Sequence, residues 1–120
     1  MRRKMLAAIL GLFAMGFVGC GSGGADLTPQ EACNQGMADM CKKLNDCMGA
    51  TVMAMAGYTS VADCTTKMEA EQCTAVNIAC TAPKKYSAST AQACINAVNG
   101  MSCTDVTSTN TPAICDQVCQ

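Results

Sequence analysis

The chain has 120 residues, eleven of them cysteine and none of them histidine or tryptophan, and it carries a formal net charge of −1. That length is one small domain, and about 9% cysteine marks a disulfide scaffold; two Phe and two Tyr leave little bulk to bury, because much of the 50% hydrophobic content is Ala and Cys. The missing histidine removes the commonest general base and zinc ligand, which excludes most hydrolase triads and His-containing zinc sites, and the absence of a basic excess speaks against nucleic acid as a partner.

The N-terminus carries Arg2, Arg3 and Lys4, then a run from residue 5 to 18 without charge or strong polarity. This is the layout of a secretory signal, and fourteen apolar residues fall short of the roughly 20 needed to span a bilayer as a helix. The run ends in Phe17-Val18-Gly19-Cys20, followed by Gly21-Ser22-Gly23-Gly24.

Those residues resemble the lipobox of bacterial lipoproteins, departing from it at Phe17, where that family usually has Leu. The resemblance implies cleavage before Cys20, a diacylglycerol joined to the Cys20 sulfur by a thioether, and acylation of the new N-terminus. Two or three acyl chains, at about 0.8 kcal/mol per buried methylene, hold a protein stably to a membrane, whereas one does not. The expected partner is therefore a membrane, engaged through a lipid anchor, with the domain facing the periplasm or the exterior of a bacterial envelope.

Cysteine parity agrees independently. Setting Cys20 aside leaves Cys33, Cys41, Cys47, Cys64, Cys73, Cys80, Cys94, Cys103, Cys115 and Cys119, an even number able to close as five disulfides in the oxidising compartment that export implies. Ten cysteines allow about 945 pairings, so the connectivity stays open. Removing residues 1 to 19 also removes the only arginines and one lysine, leaving five lysines against nine carboxylates, or −4. The expected division is a signal peptide over 1–19, a lipidated Cys with a Gly/Ser tether over 20–27, and a Cys-rich domain over 28–120.

The first expected element is a helix starting at Thr28-Pro29-Gln30-Glu31, which reads as a capping box with proline in its permitted first-turn position. At about 100° per residue, Cys33, Met37, Met40, Cys41, Leu44, Cys47 and Met48 fall on one stripe, with Asp39, Lys42, Lys43 and Asp46 opposite, and Gly49 is a natural terminator. Cys33 and Cys41 lie about 12 Å apart along such a helix and Cys41 and Cys47 about 9 Å. A disulfide needs Cα atoms within about 7 Å, so these three must staple the helix to other segments.

Ser60 to Asp63 and Ser89 to Gln92 each resemble a capped helix start, placing helices from about 61 and 90, the second closing at Asn99-Gly100. Two Cys pairs with eight intervening residues, Cys64/Cys73 and Cys94/Cys103, are offset by thirty and suggest a duplication. Cys73, Val76 and Cys80 have helical spacing, so residues 74 to 81 read as more helix, with Pro83 ending it. Residues 104 to 111 read as a polar loop, and Thr111-Pro112 opens a last short helix carrying Cys115 and Cys119 on one side.

This pattern, with Ala93-Cys94, Ser102-Cys103 and Pro112-Ala113-Ile114-Cys115 towards its end, resembles a class of small Cys-rich helical lipoproteins and secreted proteins of myxobacteria. The resemblance implies location and framework, and carries no functional residue.

The remaining chemistry is sparse. Thiolate metal sites and thioredoxin-like redox sites favour C-x2-C, which is absent, and the nine-residue spacing of twin-cysteine hairpins is not met. Met48, Met53 and Met55 are the one ligand hypothesis, as soft thioethers suit Cu(I); the competing reading is gap-filling in a core without aromatics. Glu69 and Glu71 point apart on a helix, and neither a phosphate loop nor a G-x-S-x-G elbow is present. The expectation is an all-α, disulfide-rich bundle of four or five short helices behind a cleaved signal peptide. No cofactor and no catalysis are expected, and the anticipated role is binding or structural at the cell envelope, with small-ligand or copper binding through the Met48 to Met55 cluster as the alternative.

Overall fold

A computed structural model of the chain describes residues 26–108 and 110–120. The expected signal segment, Cys20 and the expected tether through Ala25 lie outside the described residues. Four α-helices follow in order, α1 (Pro29–Met55), α2 (Val61–Gln72), α3 (Ala88–Asn99) and α4 (Cys103–Thr107), then a 3₁₀ helix over Ala113–Gln117. Among the described residues there is no strand, only an isolated antiparallel bridge between Tyr86 and Cys119. The molecule is a small all-α, disulfide-rich fold.

Each α-helix begins where a short polar side chain satisfies free backbone donors. At α1 the Thr28 hydroxyl accepts from the Glu31 N–H (3.2 Å) while the Glu31 carboxylate accepts from the Thr28 N–H (2.9 Å), the reciprocal box the sequence predicts, with Pro29 in the first turn. Ser60 caps α2 through the Asp63 N–H at 3.0 Å. Gly49 has φ 77° and ψ 165° and breaks the helical run as its sequence position suggests, but helix resumes beyond it as far as Met55. That positive φ is open to glycine and costly for a residue with a Cβ.

Three sequence expectations are corrected. Helix α3 is capped by Ser87, whose hydroxyl accepts from the Thr90 N–H, rather than by Ser89; the Ser87 N–H donates to the Val118 carbonyl at 2.9 Å, and this long-range bond fixes the cap two residues early. The caps of α2 and α3 are thus twenty-seven residues apart while their cysteines are offset by thirty, so the two segments do not match in register. Residues 74 to 81 form turns instead of helix. The Asn77 amide donates to the Glu71 carbonyl and the Asn77 N–H to the Thr74 hydroxyl, side-chain bonds that compete with helical ones. Residues 104 to 107, read as part of a loop, belong to helix α4 because Ser102 and Asp105 form a second capping box above buried Val106.

Helix α1 is the hub, packing against α2, α3 and α4, while α3 also packs against the 3₁₀ helix. Two clusters make the core. One holds Cys41, Met53 and Cys64 with Leu44, Tyr58, Val61 and Met68 around them; the other holds Ala32, Ala91 and Ile95 with Leu27, Tyr86 and Val118 around them. The two side chains most completely withdrawn from solvent are Cys41 and Cys64, which are bonded to each other. In this fold a disulfide stands where a larger domain has a Leu or Phe.

All ten cysteines of the described part are bonded: Cys33–Cys73, Cys41–Cys64, Cys47–Cys103, Cys80–Cys119 and Cys94–Cys115, with Cα separations of 5.6, 5.9, 5.2, 5.5 and 4.7 Å. The three cysteines of α1 reach three other positions and none pairs within the helix, as its geometry requires. Cys33 and Cys41 meet Cys73 and Cys64 in reversed order, so α1 and α2 run antiparallel with two staples along the seam. The C-terminus is tied back by Cys119 and by mutual backbone hydrogen bonds between Lys85 and Gln120.

Candidate functional site

The most distinctive surface feature is an apolar groove of about 480 Å³ between α1, α3, the 73–80 turns and the C-terminal segment. Its α1 wall is built from Ala32, Gly36, Met37 and Met40, one stripe at helical spacing. Ile95 and Val98 of α3 form the facing wall, and Ile78 and Val118 line the remainder. Met37 and Met40 are only half-buried, because the groove lies open beside them. Gly36 leaves this side unfilled: a Cβ built there meets nothing within 4 Å.

Cross-links frame the groove. Cys33, Cys94, Cys115 and Cys119 all contribute to its walls, and their bonds hold α1 to α2, α3 to the 3₁₀ helix, and the C-terminus to Cys80. The cavity is therefore preformed, not assembled around an occupant.

Two of its polar side chains are already engaged. The Tyr86 hydroxyl donates to the Leu27 carbonyl at 2.9 Å, and the Asn77 amide to Glu71 at 3.0 Å. Burial, and secondarily the nearby Glu31 carboxylate, push the Tyr86 phenol above its usual range, so it remains a neutral donor. Among the described residues no buried side-chain polar atom lacks a partner. A surface of this kind takes up an apolar group.

A second depression, of about 490 Å³, is charged and lies where α3 ends against the outer side of α1. Lys43 Nζ donates to the Asn99 carbonyl at 2.8 Å, a cation at a helix C-terminus, and Asn99 Nδ2 donates to the Asp39 carboxylate at 2.9 Å. Lys42 and Asp46 pair at 3.6 Å in solvent. These contacts dock α3 on α1 and occupy the groups that line the hollow. Glu69 is half-buried and Glu71 exposed two residues away, and among the described residues no three His, Cys, Asp or Glu side chains are placed to hold a metal ion.

The methionines singled out by sequence differ in their surroundings. Met53 is core, packed with the Cys41–Cys64 disulfide, while Met55 is 78% exposed beyond it and Met48 lies before the break at Gly49. The groove was missed at the level of sequence, where Met37 and Met40 read as core. The available signal was Gly36, a helix-weakening residue inside the apolar stripe.

No protein-family model matches the chain, and comparison with curated proteins and with solved structures yields no match either. No helix among the described residues is long and apolar enough to cross a membrane. Five disulfides are more typical of an oxidising, extracytoplasmic compartment.

Proposed function

We propose that this chain is a lipid-anchored, disulfide-stabilised protein of the bacterial cell envelope, with a non-catalytic binding role exercised through the apolar groove. The groove carries the proposal: it is a large apolar concavity among the described residues, its Tyr86 hydroxyl is already bonded, and disulfides hold it open. The lipobox-like Phe17-Val18-Gly19-Cys20 sequence supports anchoring at Cys20, and the extracytoplasmic preference of the disulfides is compatible with it.

Intact-mass spectrometry of the protein from the membrane fraction of a lipoprotein-processing bacterium tests the anchor. The expected species begins at Cys20 and carries diacylglyceryl and acyl increments. A species that keeps residues 1 to 19, or an unmodified Cys20, contradicts it. Binding is read with the neutral apolar dye Nile red: its fluorescence is expected to rise with the folded protein and to fall back when Gly36→Phe fills the groove, whereas equal signals from both proteins count against a binding role for this surface.

A further inference from the structure

Resting on the lipid-anchor reading, we propose that the groove's occupant is one of the acyl chains attached to Cys20 of the same molecule. The described chain starts at the groove. Leu27 packs on the Ala32–Ala91–Ile95 cluster and its carbonyl is held by Tyr86, while Pro29, Ala32 and Tyr86 themselves line the cavity. Cys20 lies six residues before Asp26, and four of the residues from 21 to 26 are Gly or Ser. Fully extended, six residues span roughly 20 Å, so the modified cysteine is tied within reach of the cavity mouth. A group tethered at that distance is present at an effective concentration of about millimolar, far above that of a free lipid monomer in water.

The chemistry of the cavity fits an alkyl chain. Met37, Met40, Ile95 and Val98 offer adaptable apolar walls, and the Tyr86 hydroxyl is already given to the Leu27 carbonyl. A second copy of the chain is a poorer occupant: a two-fold interface sets the same patch against itself, and two concavities facing each other enclose a void. Sequestration also has a consequence for anchoring. Withdrawing one of the three chains leaves two in the bilayer and weakens attachment, so a competing apolar ligand in the groove drives the chain back into the membrane and tightens attachment.

The test uses the full chain made in a lipoprotein-processing bacterium fed a diazirine-bearing fatty acid, with irradiation in intact membranes and peptide mapping. The expected result is an intramolecular cross-link from acylated Cys20 to peptides containing Met37 and Met40 or Ile95 and Val98. It should be lost in Gly36→Phe and kept in Gly36→Ala, and the wild-type map decides the matter even where the bulkier variant folds poorly. Label on Cys20 with cross-links only to bilayer lipid, or a cross-linked dimer, overturns the inference and leaves the anchor standing. An unacylated Cys20, seen in the mass before irradiation, overturns both.

Discussion

Two glycines of α1 have opposite expected responses to the same substitution. Gly49 has φ 77° and ψ 165°, a region almost closed to residues with a Cβ, so Gly49→Ala should destabilise the fold by about 1 to 3 kcal/mol. Gly36 is helical with open space beside it, so Gly36→Ala should stabilise by about 0.5 to 1 kcal/mol. Thermal denaturation of the two variants against the parent is the check, and shifts of the same sign contradict the assignment. The caps give a pH prediction. The Thr28 N–H holds the Glu31 carboxyl below its ordinary value of 4.5, and the Thr59 N–H, followed by Lys67, holds Asp63 below 3.8. The folded state prefers both groups ionised, so their stabilisation is present above those ordinary values and lost as pH falls through the lower folded ones. The melting temperature should therefore decline below about pH 4, and Glu31→Gln with Asp63→Asn should flatten that decline. Thr28 and Glu31 were legible in sequence because capping is local. The cap of α3 was not, since Ser87 is selected over Ser89 by the bond its N–H donates to the Val118 carbonyl, thirty-one residues away.

Among the elements, the stretch after Gly49 shows most clearly how packing sorts similar side chains. Met53 lies against the Cys41–Cys64 disulfide and is buried, whereas Met55 projects into solvent. Met53→Ala should cost about 2 to 4 kcal/mol and Met55→Ala less than about 0.5, measured by urea denaturation at constant m-value. Copper(I) held jointly by these thioethers would instead reveal itself as a metal-dependent stabilisation lost in either variant. The apolar stripe of α1 was legible because a period of 3.6 residues sets it, and it foretold that the three cysteines must leave the helix for their partners. The 73–80 segment was not, although Cys73, Val76 and Cys80 share helical spacing. Its cysteines are drawn to Cys33 and Cys119, Val76 is left 84% exposed, and Asn77 folds back on Glu71. Periodicity identifies a face only where one neighbour covers it. The groove shares this limit, being formed by four segments whose meeting depends on the pairing of cysteines.

At the scale of the whole molecule, long-range closures replace bulk. The five bridges span sequence separations of 21 to 56 residues. In the chain-entropy treatment each such closure is worth about 3 to 4 kcal/mol through restriction of the unfolded state, with the longest worth most. Cys47–Cys103, at 56 residues, is the only bridge from α1 to α4, so the Cys47→Ala, Cys103→Ala double variant should lose about 4 kcal/mol and loosen α4 while the α1–α2 pair stays in place. Amide hydrogen exchange localises the loss; protection unchanged in residues 103–107 contradicts it. The side chains available to resist unfolding without cross-links are few: among the described residues the buried positions are Ala, Cys, Val, Ile, Met and one Thr, with no aromatic. The decisive measurement is far-UV circular dichroism of the native protein before and after dithiothreitol, with intact mass recorded on the same samples. The expected result is no alkylation by iodoacetamide before reduction, a gain of ten hydrogens on reduction, and collapse of the helical signal and its cooperative melt. A fully reduced sample that melts as before, or thiols that react beforehand, contradicts it.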